Sequence, residues 1–130
     1  MLRPKALDHV GLTVTDMDRS LRFYSEILGL ELLRRSAQGA NGASSAVLKV
    51  GDQEINIFSD AGFASVPAGE TPRGIDHFCL EIESATIDDI VGALRRAGVE
   101  IAKGPVQRRD GISLFVGDPD GCRVELIVKK

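Results

Sequence analysis

Apolar and polar residues alternate along positions 7–14, "LDHVGLTV". A period of two predicts a half-buried strand, with Val10, Leu12 and Val14 on one face and His9, Gly11 and Thr13 on the other. The period then lengthens. Across residues 15–30, Leu21, Tyr24, Ile27 and Leu28 recur at helical spacing. Asp16 or Asp18 can cap this helix, and Gly29 suits the position just past its end. Glu31–Arg35 reads as a strand and 36–45 as a Gly/Ser/Ala-rich loop that can act as a lid. Residues 45–59 read as a hairpin turning at Gly51-Asp52. The first half is therefore β-α-β-β-β.

The second half repeats this order. Residues 75–82, "IDHFCLEI", alternate again, with Phe78, Leu80 and Ile82 opposite His77, Cys79 and Glu81. A helix follows with Ser84 or Thr86 as cap, a stripe of Ile87, Ile90, Val91 and Leu94, and Gly98 as the stop. Residues 99–105 read as a strand and 112–128 as a hairpin turning at Asp118-Pro119-Asp120-Gly121. "KVGD" (49–52) and "FVGD" (115–118) are read as the same point in each hairpin. The Pro/Gly-rich stretch 60–74 is a linker between modules. We read an internal duplication within a single domain, 1–130: module one is 5–59 and module two 75–130. The expected fold is α+β, with tandem βαβββ modules forming a curved mixed sheet around a concave groove and helices outside.

Alternation then sorts the groove. If Val10/Leu12/Val14 and Phe78/Leu80/Ile82 pack under helices, His9 and His77 face inward. The chain has just these two histidines. In 123–128 the same rule sends Val124, Leu126 and Val128 to the helices and leaves Arg123, Glu125 and Ile127 inward. In 53–59 it leaves Glu54, Asn56 and Phe58 inward, with Asn56 the counterpart of Glu125. Two imidazoles and a carboxylate on rigid strands suit a divalent metal (Fe, Mn, Ni or Zn) with coordination positions open to substrate. Such a metal can polarise a carbonyl, stabilise an enediolate or bind O2. Glu54 is a candidate general base. Cys79, Phe58 and Phe115 are candidate pocket walls. Arg108, Arg109 and Arg123 are candidate partners for a substrate carboxylate or phosphate, with a solvated loop the default reading of the first two.

Composition narrows the class. A net charge of −3, with basic residues in pairs rather than a stripe, argues against nucleic acid as partner. No apolar run approaches the roughly 18–20 residues of a membrane helix. "MLRPKALDH" lacks a signal-peptide core, and Cys79 and Cys122 fit no disulfide or CxxC framework, so we expect a reduced, cytoplasmic protein. No phosphate-binding glycine loop or nucleophile elbow is present.

The segments "DHVGLTVTDMDRSLRFYSEILGLELL" and "DPDGCRVEL" resemble the N- and C-terminal signatures of the vicinal oxygen chelate superfamily, which includes glyoxalase I, fosfomycin-resistance proteins, bleomycin-resistance proteins and extradiol dioxygenases. The resemblance spans almost the whole chain. It implies metal ligands at His9, His77 and Glu125. The further position, a Glu in glyoxalase I, is Asn56 here, a departure that sets this chain apart from four-ligand glyoxalase chemistry. The stretch "VGDQEINIF" is similar to a glyoxalase-domain subgroup related to virulence-associated proteins. Family members of this length commonly form homodimers, with ligands drawn from one chain or two. The function expected is a metal-dependent glyoxalase-type lyase or isomerase acting on a small-molecule substrate chelated through vicinal oxygens, with Glu125 and Glu54 moving protons. Two alternatives are an extradiol-type Fe(II) dioxygenase, which would need a spare histidine, and a metal-free drug-binding protein, disfavoured by one Tyr and no Trp. A thiol transferase of the fosfomycin-resistance type is a variant of the first reading.

Overall fold

A computed structural model describes residue 1 and residues 3–36, 44–59 and 77–130. The chain divides into two compact units, Met1–Ser65 and Val66–Lys130. The linker 60–74 and most of the loop 36–45 lie outside the described residues.

Unit one runs β1 (His9–Val14), α1 (Met17–Leu21) continuing into a π-helical stretch (Arg22–Ile27), β2 (Glu31–Arg35), β3 (Ser44–Val50) and β4 (Gln53–Ser59). Its sheet has the order β1-β4-β3-β2, with β1 parallel to β4 and the other pairs antiparallel. Asp16 caps the helix by accepting from the Arg19 N–H at 3.0 Å. The helix was expected to be regular, yet it widens: the Leu28 N–H bonds to Phe23 O and the Leu30 N–H to Tyr24 O. The wider turn lets adjacent Phe23 and Tyr24 both go inside, edge to face at 4.9 Å, where regular spacing would have buried Tyr24 alone. Beneath them Ala46, Leu48, Ile55 and Ile57 are buried, the alternate residues of the two central strands.

Unit two runs β5 (Phe78–Glu81), α2 (Ile87–Arg96), β6 (Ile101–Gln107), β7 (Gly111–Gly117) and β8 (Arg123–Lys129). Its sheet, β5-β8-β7-β6, repeats the pattern, with β5 parallel to β8. Thr86, not Ser84, caps α2 in a reciprocal capping box with Asp89. The Thr86 N–H held by the Asp89 carboxylate keeps that group below its ordinary pKa. Gly98 at φ +74° ends the helix, and the Val99 N–H bonds back to Leu94 O at 2.9 Å. That bond commits Val99 to the helix terminus, so β6 starts at Ile101 rather than 99. The β7–β8 connection is fixed by Asp118, whose Oδ1 accepts from the N–H groups of Asp120 (2.9 Å) and Cys122 (2.7 Å).

Both units are α+β, as expected. The strands pair within each unit, giving two four-stranded mixed sheets in place of one continuous sheet. Pairing also fixes the correspondence between modules. Val10 pairs with Ile55, and Phe78 with Val124. Matching His9 to His77 therefore matches Asn56 to Glu125, and through the next pairing Val47 to Phe115. The same match sets Leu48 on Val116, so the "VGD" echo at 50–52 and 116–118 is two residues out of structural register. The second turn, 118–122, is longer than the Gly51-Asp52 turn, and a turn can repeat a sequence without repeating a position.

Gly111 is the tightest point of unit two. A Cβ there would overlap Val128 O and come within 2.9 Å of Lys129 Cα, both backbone atoms of β8 that cannot move alone. Gly111→Ala should destabilise the fold by about 1–3 kcal/mol, the usual range for overpacking. Thermal unfolding checks this, and an unchanged Tm would contradict the packing described.

Candidate functional site

Cross-strand partners share a face of the sheet. In unit two they form a row of Cys79 (β5), Glu125 (β8), Phe115 (β7) and Lys103 (β6). Glu125 is 9% exposed, so its charge must be met locally. The Ser113 hydroxyl donates to Oε1 at 2.8 Å, and Arg108 Nη2 stands 3.4 Å from the same oxygen. Arg108 Nε donates to Ser113 Oγ at 3.1 Å, closing a three-residue circuit. The second oxygen, Oε2, faces His77 Nε2 at 3.2 Å. The His77 ring meets the buried Phe115 ring edge to face at 5.3 Å, which limits its rotation.

Cys79 pairs with Glu125 across the sheet. The residue is exposed, but local desolvation of its thiol, followed by the Glu125 charge and hydrogen bond, pushes its pKa up to about 11. At neutral pH it is a neutral thiol. Arg123 opens β8, two residues from Glu125 and exposed.

Unit one carries the corresponding row: Gly11, Asn56, Val47 and Arg34. Asn56 Oδ1 is buried with no hydrogen-bond partner. His9 Nδ1 lies 2.8 Å from Asp8 Oδ2. A carboxylate can only accept, so in the neutral ring Nδ1 carries the proton and Nε2 the lone pair. Glu54 pairs with His9 in register and is half-buried, while Phe58 is 46% exposed. The predicted residues thus fall into two sets. His77, Cys79, Phe115 and Glu125 meet in unit two; His9, Glu54, Asn56 and Phe58 lie on β1 and β4 of unit one.

Residues 6–126 match the family described as the Glyoxalase/Bleomycin resistance protein/Dioxygenase superfamily. The chain belongs to this superfamily. It is 32% identical over 125 residues to a virulence protein of Salmonella typhimurium, covering 92% of this chain and 81% of that one. It is 31% identical over 128 residues to the lactoylglutathione lyase of the same organism, covering 94% and 91%. A glyoxalase family protein from Enterococcus faecalis superposes with a TM-score of 0.77 at 27% identity, covering 95% and 97%. Plant relatives are longer, and the chain spans less than half of their length.

For this superfamily member, the donor set fits the metal that the sequence resemblance implies. His77 Nε2 and Glu125 Oε2 face one another, the His9 lone pair is on Nε2, and Asn56 Oδ1 is an acceptor in want of a donor or cation. Neither unit by itself gathers three His, Cys, Asp or Glu side chains about one point among the described residues. A metal on His77 and Glu125 would therefore draw its remaining protein ligand from elsewhere.

Three residues of the unit-two site escaped the sequence reading. Lys103 and Ser113 were not singled out, and Arg108 was assigned by default to a solvated loop. Ser113 carried a signal: within "ISLFV" it is the polar residue alternating with buried Ile112 and Leu114, on the face that Phe115 already marked. Ser113→Ala removes a buried donor from a carboxylate, which should cost about 1.5–3 kcal/mol. Denaturant unfolding at pH 7 measures it; a loss near zero would mean that Ser113 does not hold Glu125.

Proposed function

We propose that this chain is a metal-dependent lyase or isomerase of the glyoxalase type, acting on a small substrate held through two vicinal oxygens. One observation carries the reading: His77 Nε2 and Glu125 Oε2 converge at 3.2 Å, with the carboxylate's other oxygen tied back by Ser113 and Arg108. Similarity to lactoylglutathione lyases over most of the chain supports the reaction class.

His9, His77 and Glu125 would hold the cation, of the Fe, Mn, Ni or Zn group. When bound, the metal supplies a Lewis acid that draws electron density from the substrate's oxygens. The chain's own residues do the rest. Ser113 and Arg108 restrain Glu125 Oε1, so that Oε2 keeps its direction without reorganising. Phe115 steadies the His77 ring and excludes water beside it. Asp8 fixes the His9 tautomer. Asn56 Oδ1 offers an acceptor to a substrate hydroxyl or a bound water and carries no charge with which to move a proton. Proton transfer falls to a carboxylate, with Glu54 beside His9 the second candidate after Glu125. The reading includes assembly as a homodimer, which would let ligands come from two copies.

Protein purified without a nickel column should hold, or take up, close to one divalent ion per site. His77→Ala should abolish that uptake, and Asn56→Ala should leave it nearly unchanged. Metal below about 0.1 equivalent, with no rise in Tm on adding Mn, Fe, Ni or Zn, would sink the reading. A large loss of metal in Asn56→Ala would replace the three-ligand set with a four-ligand one.

A further inference from the structure

Two cations lie beside one ring in unit two. Lys103 Nζ is 5.8 Å, and the Arg108 guanidinium carbon 5.7 Å, from the Phe115 centroid. A single carboxylate, Glu125, stands near them, and Arg108 takes it. Among the described residues Lys103 has no carboxylate at ion-pair distance. Arg108 commits Nε to Ser113 and Nη2 to Glu125, leaving Nη1 without a protein acceptor on a side chain 38% exposed.

This arrangement departs from a solvated basic surface in two ways. Phe115 is 8% exposed, so the ring is a fixed platform that holds both long side chains near the row by cation–π attraction. Side chains already ordered lose less freedom when a ligand arrives. The row also has a direction: thiol, carboxylate, ring, cation, from β5 to β6. Unit one ends its row the same way, in Arg34 on the outer strand. A cation at that station is therefore a feature of both modules, whereas the middle stations differ.

We propose that Lys103 and Arg108 bind an anionic group of the substrate, a carboxylate or a phosphate, beside Phe115 and next to the His77–Glu125 pair. Arg108 contributes the Nη1 edge of its planar fork, and Lys103 a point charge that the fold leaves uncompensated. The substrate class follows: a small acid, anchored by its charge at the β6 end of the row and presenting its vicinal oxygens toward His77 and Glu125. Its place in a substrate rests on the glyoxalase-type reading. The anion site itself needs no metal, so the two can fail separately.

The test uses the full chain, stripped of metal with EDTA and titrated with inorganic phosphate and, separately, acetate, at ionic strength held constant with chloride. Calorimetry and the shift in Tm report binding. Saturable binding of at least one anion is expected, weakened about fivefold or more in Lys103→Met, reversed to no binding in Lys103→Glu, and unchanged in Lys5→Met. The anion that saturates at lower concentration names the group. Binding that is equal in Lys103→Met and wild type would overturn the proposal, and so would the absence of saturable binding by either anion. Metal uptake is scored independently: a chain that binds metal but no anion keeps the glyoxalase-type reading and loses this one.

Discussion

A carboxylate buried in the middle of a strand has to be met by donors or cations, and in unit two that carboxylate is Glu125. Meeting it organises its surroundings. Ser113 and Arg108 are drawn to one oxygen and bonded to each other; the segment around Arg108 is turned back by the Arg108 N–H to Gly111 O bond, 2.7 Å long. The other oxygen is left facing His77. Phe115, the neighbour of Glu125 across the hairpin, then serves both histidine and cations as a fixed surface. Removing one partner from such a circuit exposes the charge to an apolar setting, so the circuit behaves as a unit.

Unit one shows what the same backbone does without the charge. Its pairing registers repeat those of unit two, yet Asn56 stands where Glu125 does, Val47 where Phe115 does and Gly11 where Cys79 does. The amide carries no net charge and its Oδ1 is left without a partner. The two modules thus share a scaffold and divide the chemistry: one supplies a restrained anion beside a histidine, the other a neutral acceptor and a histidine whose tautomer Asp8 fixes. The superfamily supports several reactions on this scaffold, and the site rather than the fold decides among them.

Much of this was legible in the sequence. Alternation around His9 and His77 placed both on the face opposite the buried residues, and Glu31–Arg35 is a strand with those bounds. The match of Asn56 to Glu125 came from strand period alone, and the pairing registers repeat it. Other features were not legible, each for a physical reason. The π-helical widening after Leu21 is a packing choice that admits Phe23 beside Tyr24, and helical spacing cannot announce it. The late start of β6 follows from the helix-ending bond at Val99. Arg108 looks like a loop residue because it is one; its role depends on a tertiary partner, Glu125, well beyond any local pattern. Lys103 is visible only once β6 is paired with β7 through its irregular register.

The central claim is that His77 and Glu125 form half of a metal site completed by His9. X-ray absorption at the metal edge of protein loaded with zinc or nickel tests it most directly, because imidazole gives a distinctive outer-shell signal. The account predicts two imidazoles and a carboxylate oxygen in the first shell, falling to one imidazole in His9→Ala. A shell with no imidazole, or one unchanged by losing His9, would contradict it.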